Sequence, residues 1–354
     1  MRKRIPVKLP VEAESREIVV LGVESTSHTF GVGVVRFREG FAEELANVNK
    51  QYKPEKGGIH PREASLHHVK VAPSTLVEAF KEAGLTPGEV DAIAVAVGPG
   101  LGPCLRTGAT LARFLSKYYD KPLVPVNHAV AHIEIGKLYR GFSDPVVVYV
   151  SGGNTMVVVQ RDQRFRVVGE TLDIPLGNLF DTFAREVGIA PPYVVNGMHA
   201  VDVCAEWNPE FQPLPYTVKG NDLSFSGLLT AALSQARRAG GDRRELGRIC
   251  NGLRETAFNM LVEVSERVLA LTGKKQLLLV GGVASNRVLR GKMEALREIY
   301  GIDYYGTPPE VAGDNGVMIA YTGLLLYLYG KTSRPEETRV RQRYRLDEEV
   351  YPWL

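Results

Sequence analysis

The 354-residue chain is poor in cysteine, with only Cys104, Cys204 and Cys250, and their spacing matches no metal-ligand pattern. That excludes a disulfide-framed secreted scaffold and predicts reduced, mostly buried thiols in a cytosolic protein. No apolar run is long enough to span a bilayer. The opening "MRKRIPVKLPVEAESRE" is basic and then polar, with no apolar stretch behind the charges. It reads as a short arm (residues 1–16) before the first strand rather than a signal peptide, so the expected location is the cytoplasm, with no membrane partner. Net charge is only +3, which does not announce a nucleic-acid binder. The chain also lacks a low-complexity tract, a long linker, a Walker-A sequence, and a Gly-x-Gly-x-x-Gly followed by a correctly placed acid.

What is present is ample core material, 44% hydrophobic, in a length that suggests about two domains. Strands alternate with helices, which makes the class α/β. Two segments share one design: "EIVVLGVESTSHTFGVGVV" (17–35) and "PVVVYVSGGNTMVVVQ" (145–160) each read strand, small polar turn, strand. A third, "QLLLVGGVASNRVLRGKMEAL" (276–296), is a buried strand, a Gly-Gly turn and a helix. "VDAIAVAVGPGLGPCLRTGATLARFL" runs from a strand through a Gly/Pro loop into a helix; its prolines remove amide donors, so it is not taken as a phosphate loop. A duplicated strand–turn–strand, each copy opening half the chain, is what a two-lobed nucleotide-binding protein would show, with the boundary near "YRGFSDP" (139–145).

The turns themselves carry chemistry. Ser25, Thr26, Ser27 and Thr29 supply hydroxyls in the first; Ser151, Gly152, Gly153, Asn154 and Thr155 form the second. Converging amides, small hydroxyls and side-chain-free glycines are what a phosphate needs. Tight hairpins also favour Gly, Ser and Asn for their own sake, and for one turn alone that explanation is sufficient. Two such turns at corresponding places favour a nucleotide.

"VNHAVAHIEIGKLY" (126–139) puts His128 and His132 four apart in a helical pattern, one turn apart on one face. Such a pair either grips one metal ion or is simply two histidines in an ordinary helix, since ligation needs further donors. The zinc-protease arrangement has a glutamate directly after the first histidine; here that residue is Ala129. Other polar residues interrupt apolar runs: Asp181 in an amphipathic helix, Gly197 and Asp202 in "VVNGMHAVD", Asn286 in the first turn of a helix, and Asp314 between glycines before another. Asp314 and Asn315 are candidate N-caps, and Asp314 is also the best carboxylate to complete a site with the histidines.

Arginine is unevenly spread. "TRVRQRYR" places Arg339, Arg341, Arg343 and Arg345 on one face of a strand if extended, a candidate phosphate-binding face. The cluster in "ARRAGGDRRELGR" reads rather as solvated arginines beside acids. In "GGIHPREASLHH", Pro61 sets a helix start, and Arg62, Glu63, His67 and His68 serve either a capped, salt-bridged helix or a lobe-interface or tRNA role.

Eight stretches, in order, resemble the motifs of the TsaD family and more closely its archaeal and eukaryotic branch, the catalytic subunit of the KEOPS complex. They are "GVESTSHTFGVGVV", "GGIHPREASLHH", "GPGLGPCLRTG", "NHAVAHIE", "YVSGGNTM", "LPYTVKGNDLSFSG", "GGVASNRVL" and "PPEVAGDNGVMIAYTG". The resemblance implies the actin/Hsp70/sugar-kinase fold: lobe I over 17–144 with a C-terminal return over 320–354, and lobe II over 145–319, both ribonuclease-H-like, around a nucleotide cleft. It implies transfer of threonylcarbamoyl from threonylcarbamoyl-adenylate to N6 of the adenosine adjoining the anticodon of ANN-decoding tRNAs, with release of AMP. It further implies one iron or zinc held by His128, His132, Asp314 and Tyr149. ATP, AMP or the adenylate would be held by Ser151, Gly152, Gly153, Asn154, Asp181 and Asn286, with Gly197 and Asp202 as the glycine and acid of a diverged segment. Implied partners are tRNA and the other KEOPS subunits, including a separately encoded small kinase/ATPase. Serine at Ser25, and His28 and Thr29, depart from residues common elsewhere in the family. A metallopeptidase would leave the nucleotide turns unexplained, a sugar-type kinase would leave the metal ligands idle, and a nucleotide-dependent scaffold would need no catalysis.

Overall fold

A computed structural model of the chain describes residues 4–6, 17–54, 58–189 and 198–354. Two compact units emerge, Met1–Gly141 with Arg161–Arg164 and Asp314–Leu354, and Phe142–Gln160 with Phe165–Gly313.

Unit 1 is built on β1 (Arg4–Pro6), β2 (Ile18–Glu24), β3 (Thr29–Arg38), β4 (Phe41–Gln51), α1 (Pro61–Ala83), β5 (Ala92–Gly98), α2 (Gly102–Tyr119), β6 (Leu123–Asn127) and α3 (His128–Arg140). Its sheet order is β1-β4-β3-β2-β5-β6. β2, β3 and β4 form an antiparallel meander, while β5 and β6 join in parallel, each delivered by a helical crossover. β2 and β5 are buried along their whole length, as their near-continuous Val, Ile, Ala and Leu require. The expected N-terminal arm is not merely an arm: residues 4–6 pair antiparallel with β4, whose outer edge has open backbone groups for an added strand. Pro61 opens α1 at its first turn, and Gly84 closes it in the left-handed conformation. The histidine end of α1 is anchored inward: buried His68 donates through Nε2 to the Ser27 carbonyl at 2.9 Å.

Unit 2 repeats the arrangement. It contains β7 (Val146–Val150), β8 (Thr155–Arg161), β9 (Arg164–Glu170), α4 (Leu176–Glu186), α5 (Ala200–Ala205), β10 (Val218–Lys219), β11 (Asp222–Leu223), α6 (Ser226–Arg238), α7 (Arg243–Thr272), β12 (Gln276–Val280), α8 (Arg287–Tyr300), β13 (Asp303–Gly306) and α9 (Pro309–Ala312). The main sheet runs β13-β12-β7-β8-β9. Read from its first hairpin, it has the same order as unit 1: a hairpin-linked meander, then two parallel strands beside the first. The hairpins foreseen at 17–35 and 145–160 are the opening elements of the two sheets.

α10 (Gly316–Leu328) belongs to unit 1 and lies on β2 and β3 at backbone distance. A Cβ on Gly33 would stand 2.3 Å from the Gly316 carbonyl carbon, and one on Gly22 would stand 2.2 Å from the Ala320 nitrogen. Only glycine permits that approach.

Two expectations are corrected. Cys204 and Cys250 are not free thiols but a disulfide joining α5 to α7, with Cα atoms 5.8 Å apart. These helices pack side by side and bring together two buried residues that no spacing rule links. Cys104 stays a buried thiol, its pKa pushed up to about 11 by burial. The "TRVRQRYR" segment forms no strand. Tyr344 and Leu346 turn into the core, the Arg341 guanidinium lies 3.8 Å over the Tyr344 ring and pairs with Glu348 and Glu349, and Arg345 pairs with Asp347. No alternating basic face forms, because the segment is not an extended strand: Arg341 and Arg345 are held in ion pairs, while Arg339 and Arg343 stay exposed. The other arginine cluster behaves as expected, with Arg248 beside Glu245 and Glu210.

Candidate metal centre and nucleotide turn

α3 begins immediately at the end of β6, so its first residue is fixed by the sheet. Asn127 caps the helix, its side chain accepting from the amides of Ala129 and Val130. His128 and His132 then sit one turn apart, both buried, their rings edge to face with centroids 4.7 Å apart. The third donor comes from the glycine turn before α10. There the two polar neighbours divide the work: Asn315 caps α10 by accepting from the Met318 amide, and Asp314 faces the histidines. Asp314 Oδ1 lies 3.3 Å from His132 Nε2 and 3.5 Å from His128 Nε2. Among the described residues, His128, His132 and Asp314 form one metal-competent group, whose donor atoms all lie within 4.8 Å of one another.

The electrostatics fit a cation. Burial alone would depress the His128 pKa, but the Glu24 and Asp314 carboxylates outweigh it and push it up to about 9. At His132 burial wins and the pKa falls, despite the Asp314 contact. Burial works against ionising Asp314, yet the two imidazoles hold its carboxyl well below the usual carboxylate range. Two imidazoles and a carboxylate around one point are a donor set suited to zinc or iron.

Tyr149 lies in unit 2 on β7, wholly buried, and its hydroxyl accepts from Asn154 Nδ2 at 3.4 Å. The adjoining turn is tied internally. Ser151 Oγ accepts from the amides of Gly153 at 3.2 Å and Asn154 at 3.0 Å, and the Ser151 amide donates to the Asn154 carbonyl. Gly152 and Gly153 face open space, with no atom within 4 Å of an added Cβ. The amino end of α4 abuts this turn: a Cβ on Gly177 would meet the Gly152 amide at 2.9 Å. A helix N-terminus beside exposed glycines is favourable ground for an anion.

Asp181, Asp202 and Asn286 are also brought together, through a residue the sequence reading missed. His199 donates from Nε2 to Asp181 at 3.0 Å, while its Nδ1 accepts from the Val201 amide. Asp202 Oδ2 accepts from the His199 amide at 2.8 Å and from Asn286 Nδ2 at 2.6 Å. Asn286 in turn caps α8 rather than lying in its first turn. Burial pushes the Asp202 carboxyl up, and its Oδ1 is buried with no hydrogen-bond partner. The pattern His-x-x-Asp, a capping box at the start of α5, was the available signal for His199. Gly197 lies outside the described residues.

The residues also stand in known company. A protein of Staphylothermus marinus named tRNA N6-adenosine threonylcarbamoyltransferase is 63% identical, over 94% of this chain and 99% of that protein. One of the same name from Hyperthermus butylicus is 56% identical over 95% and 92%. Among solved structures, T. kodakarensis HypF resembles the chain with a TM-score of 0.62 at 16% identity, over 92% of this chain and 49% of that one. That likeness and the repeated sheet order place the chain in the actin/Hsp70/sugar-kinase fold class. The family profile described as "TsaD: tRNA N6-adenosine threonylcarbamoyltransferase" matches residues 41–321, and on these grounds the chain belongs to the TsaD family.

Proposed function

We propose that this chain transfers a threonylcarbamoyl group from threonylcarbamoyl-adenylate to N6 of the adenosine adjoining the anticodon of ANN-decoding tRNAs, forming N6-threonylcarbamoyladenosine. The observation that carries this reading is the convergence of His128, His132 and Asp314 in a chain of this family that also presents a Ser-Gly-Gly-Asn turn at a helix N-terminus.

His128, His132 and Asp314 would hold one iron or zinc ion; Tyr149 as a further ligand rests on the resemblance alone. When bound, such an ion supplies Lewis-acid polarisation of a carbonyl and a template for a carboxylate. The Gly152 region and the amino end of α4 hold the adenylate phosphate and stabilise the charge that develops as AMP leaves. The adenine N6 lone pair forms the new C–N bond at the carbonyl carbon, the bond from that carbon to the phosphate oxygen breaks to release AMP, and one N6 proton is lost to solvent. An exocyclic amine is a weak nucleophile, so positioning supplies much of the rate. Asp181, Asp202 and Asn286 would take the adenosine end, a role supported by the hydrogen bonds that join His199 to Asp181 and Asn286 to Asp202.

A peptidase reading finds no support, since Ala129 occupies the position of the protease glutamate and is itself buried. No described helix is long and apolar enough to cross a membrane. Work on tRNA assigns the chain to the cytoplasm in this reading. With a net charge of +3, and with Arg341 and Arg345 held in ion pairs so that only Arg339 and Arg343 of that run stay exposed, the chain offers little basic surface for tRNA phosphates. The remaining KEOPS subunits, a small kinase/ATPase among them, supply that surface in this reading. Transfer of label to tRNA from threonylcarbamoyl-adenylate carrying radiolabelled threonine, by the chain alone and with those subunits, tests the proposal. Label is expected to enter tRNA with AMP released, efficiently only in the assembled complex; no label in either case refutes it.

A further inference from the structure

Glu24 ends β2 with a side chain fully shut from solvent, and no hydrophobic or nucleotide role accounts for a carboxylate there. Its Oε1 accepts from both the amide and the hydroxyl of Thr26 at 2.5 Å. Its Oε2 accepts from His128 Nδ1 at 2.9 Å. The carboxylate is thus gripped on one side by the chain's own turn and on the other holds an imidazole ring. Resting on the metal reading above, we infer that Glu24 is the positioning residue of the metal centre. It keeps the proton of His128 on Nδ1 and presents Nε2, the atom facing Asp314, to a divalent cation.

Three features support this. A buried carboxylate that makes hydrogen bonds with only fixed donors is pre-oriented, and such an outer partner raises ligand basicity as well as fixing the ring. The charge also favours a cation: of His128, His132 and Asp314 only Asp314 is an anion, and the Glu24 carboxylate adds a second negative charge beside them. Finally, the Thr26 amide can only donate, so the position tolerates no amide in place of the acid. A glutamine side chain there would have one acceptor oxygen. If that oxygen serves Thr26, its NH2 faces His128 Nδ1, which must then accept; the ring proton moves to Nε2 and blocks the metal. If the oxygen serves His128, two donors collide at Thr26.

The experiment uses the full chain, with Zn2+ competed against a chelator, and AMP affinity and thermal melting measured alongside. Glu24→Gln should weaken Zn2+ binding by about 10–100-fold, as loss of an outer ligand partner does elsewhere. Glu24→Asp keeps the charge but is a methylene too short to reach both partners, and should lose less. AMP affinity should not change, because the turn assigned to the phosphate, residues 151–154, is in unit 2, whereas Ser25 and Thr26 of the first turn are buried. The visible absorption of the Co2+ derivative should shift in both variants. If Glu24→Gln does not fold, Glu24→Asp decides. Folded variants that bind Zn2+ as tightly as the parent, melting lower or not, overturn the inference and make Glu24 a brace for the Thr26 turn; so does an equal loss of AMP binding. His132→Ala separates the two levels: if it binds Zn2+ as the parent does, the metal reading itself fails and this inference with it.

Discussion

Gly33→Ala tests whether the helix that carries Asp314 is placed by backbone contact with the sheet. An alanine Cβ at 33 would stand 2.3 Å from both the Gly316 carbonyl carbon and the Val317 amide nitrogen. These are backbone atoms of the first turn of α10, so no side chain can swing away. Ordinary contact begins at 3.4 Å, and the helix start must therefore retreat by about 1.1 Å. Asp314 lies two residues before α10 begins, beside the capping Asn315, and moves with it. Metal–ligand distances tolerate only about 0.2 Å, so the carboxylate is carried out of range of a cation held by the two imidazoles. Overpacking of this kind costs about 1–3 kcal/mol. The expected outcome is a lower melting temperature in chelator and a loss of Zn2+ affinity of at least about tenfold, one decade for each ~1.4 kcal/mol. The control is Gly88→Ala, exposed and with no atom within 4 Å of the added methyl, which should change neither quantity. Native Zn2+ affinity and melting in Gly33→Ala would refute the claim that this contact places Asp314.

Gly153→Val puts a branched side chain into open space, so melting should hold within about 0.5 kcal/mol while AMP affinity falls at least about tenfold, by calorimetry; unchanged affinity would make the turn a plain hairpin. Replacing Cys204 and Cys250 together by serine frees a loop with a sequence separation of 46 and should cost about 4 kcal/mol in denaturant unfolding. Equal stability of parent and variant would show the bridge to be energetically idle. His68 is buried as the neutral form, with its pKa lowered by burial from 6.5 to about 4. Its contribution is complete above pH 6.5 and disappears as pH falls through about 4, because the unfolded chain takes up a proton that the folded one resists. His68→Gln should flatten the decline of melting temperature between those limits, and an unaltered slope would exclude His68 as its source.

Much of the architecture was legible because it depends on local periodicity. Small polar turns between β-branched runs could only be hairpins, and both hairpins open sheets of the same order. The helical spacing of His128 and His132 put them on one face before any tertiary contact was known. Family motifs then supplied the long-range partners that spacing cannot.

What the sequence left open depended on contacts between distant segments. It offered Asp314 and Asn315 equally as caps; only the packing of α10 on β2 and β3 turned Asp314 toward the histidines and left Asn315 to the helix. Glu24 and His199 were given no role from the sequence, until folding set one against His128 and the other between Asp181 and Asp202. Cys204 and Cys250 carried no spacing signal, since the packing of α5 on α7 makes them neighbours. Alternate arginines in "TRVRQRYR" looked like a strand face, but burial of Tyr344 and Leu346 gave that segment a different course. Periodicity along the chain determines which residues share a face, because backbone geometry repeats. Which faces meet is decided by close packing, where a glycine at 22 or 33 matters for the atoms it lacks.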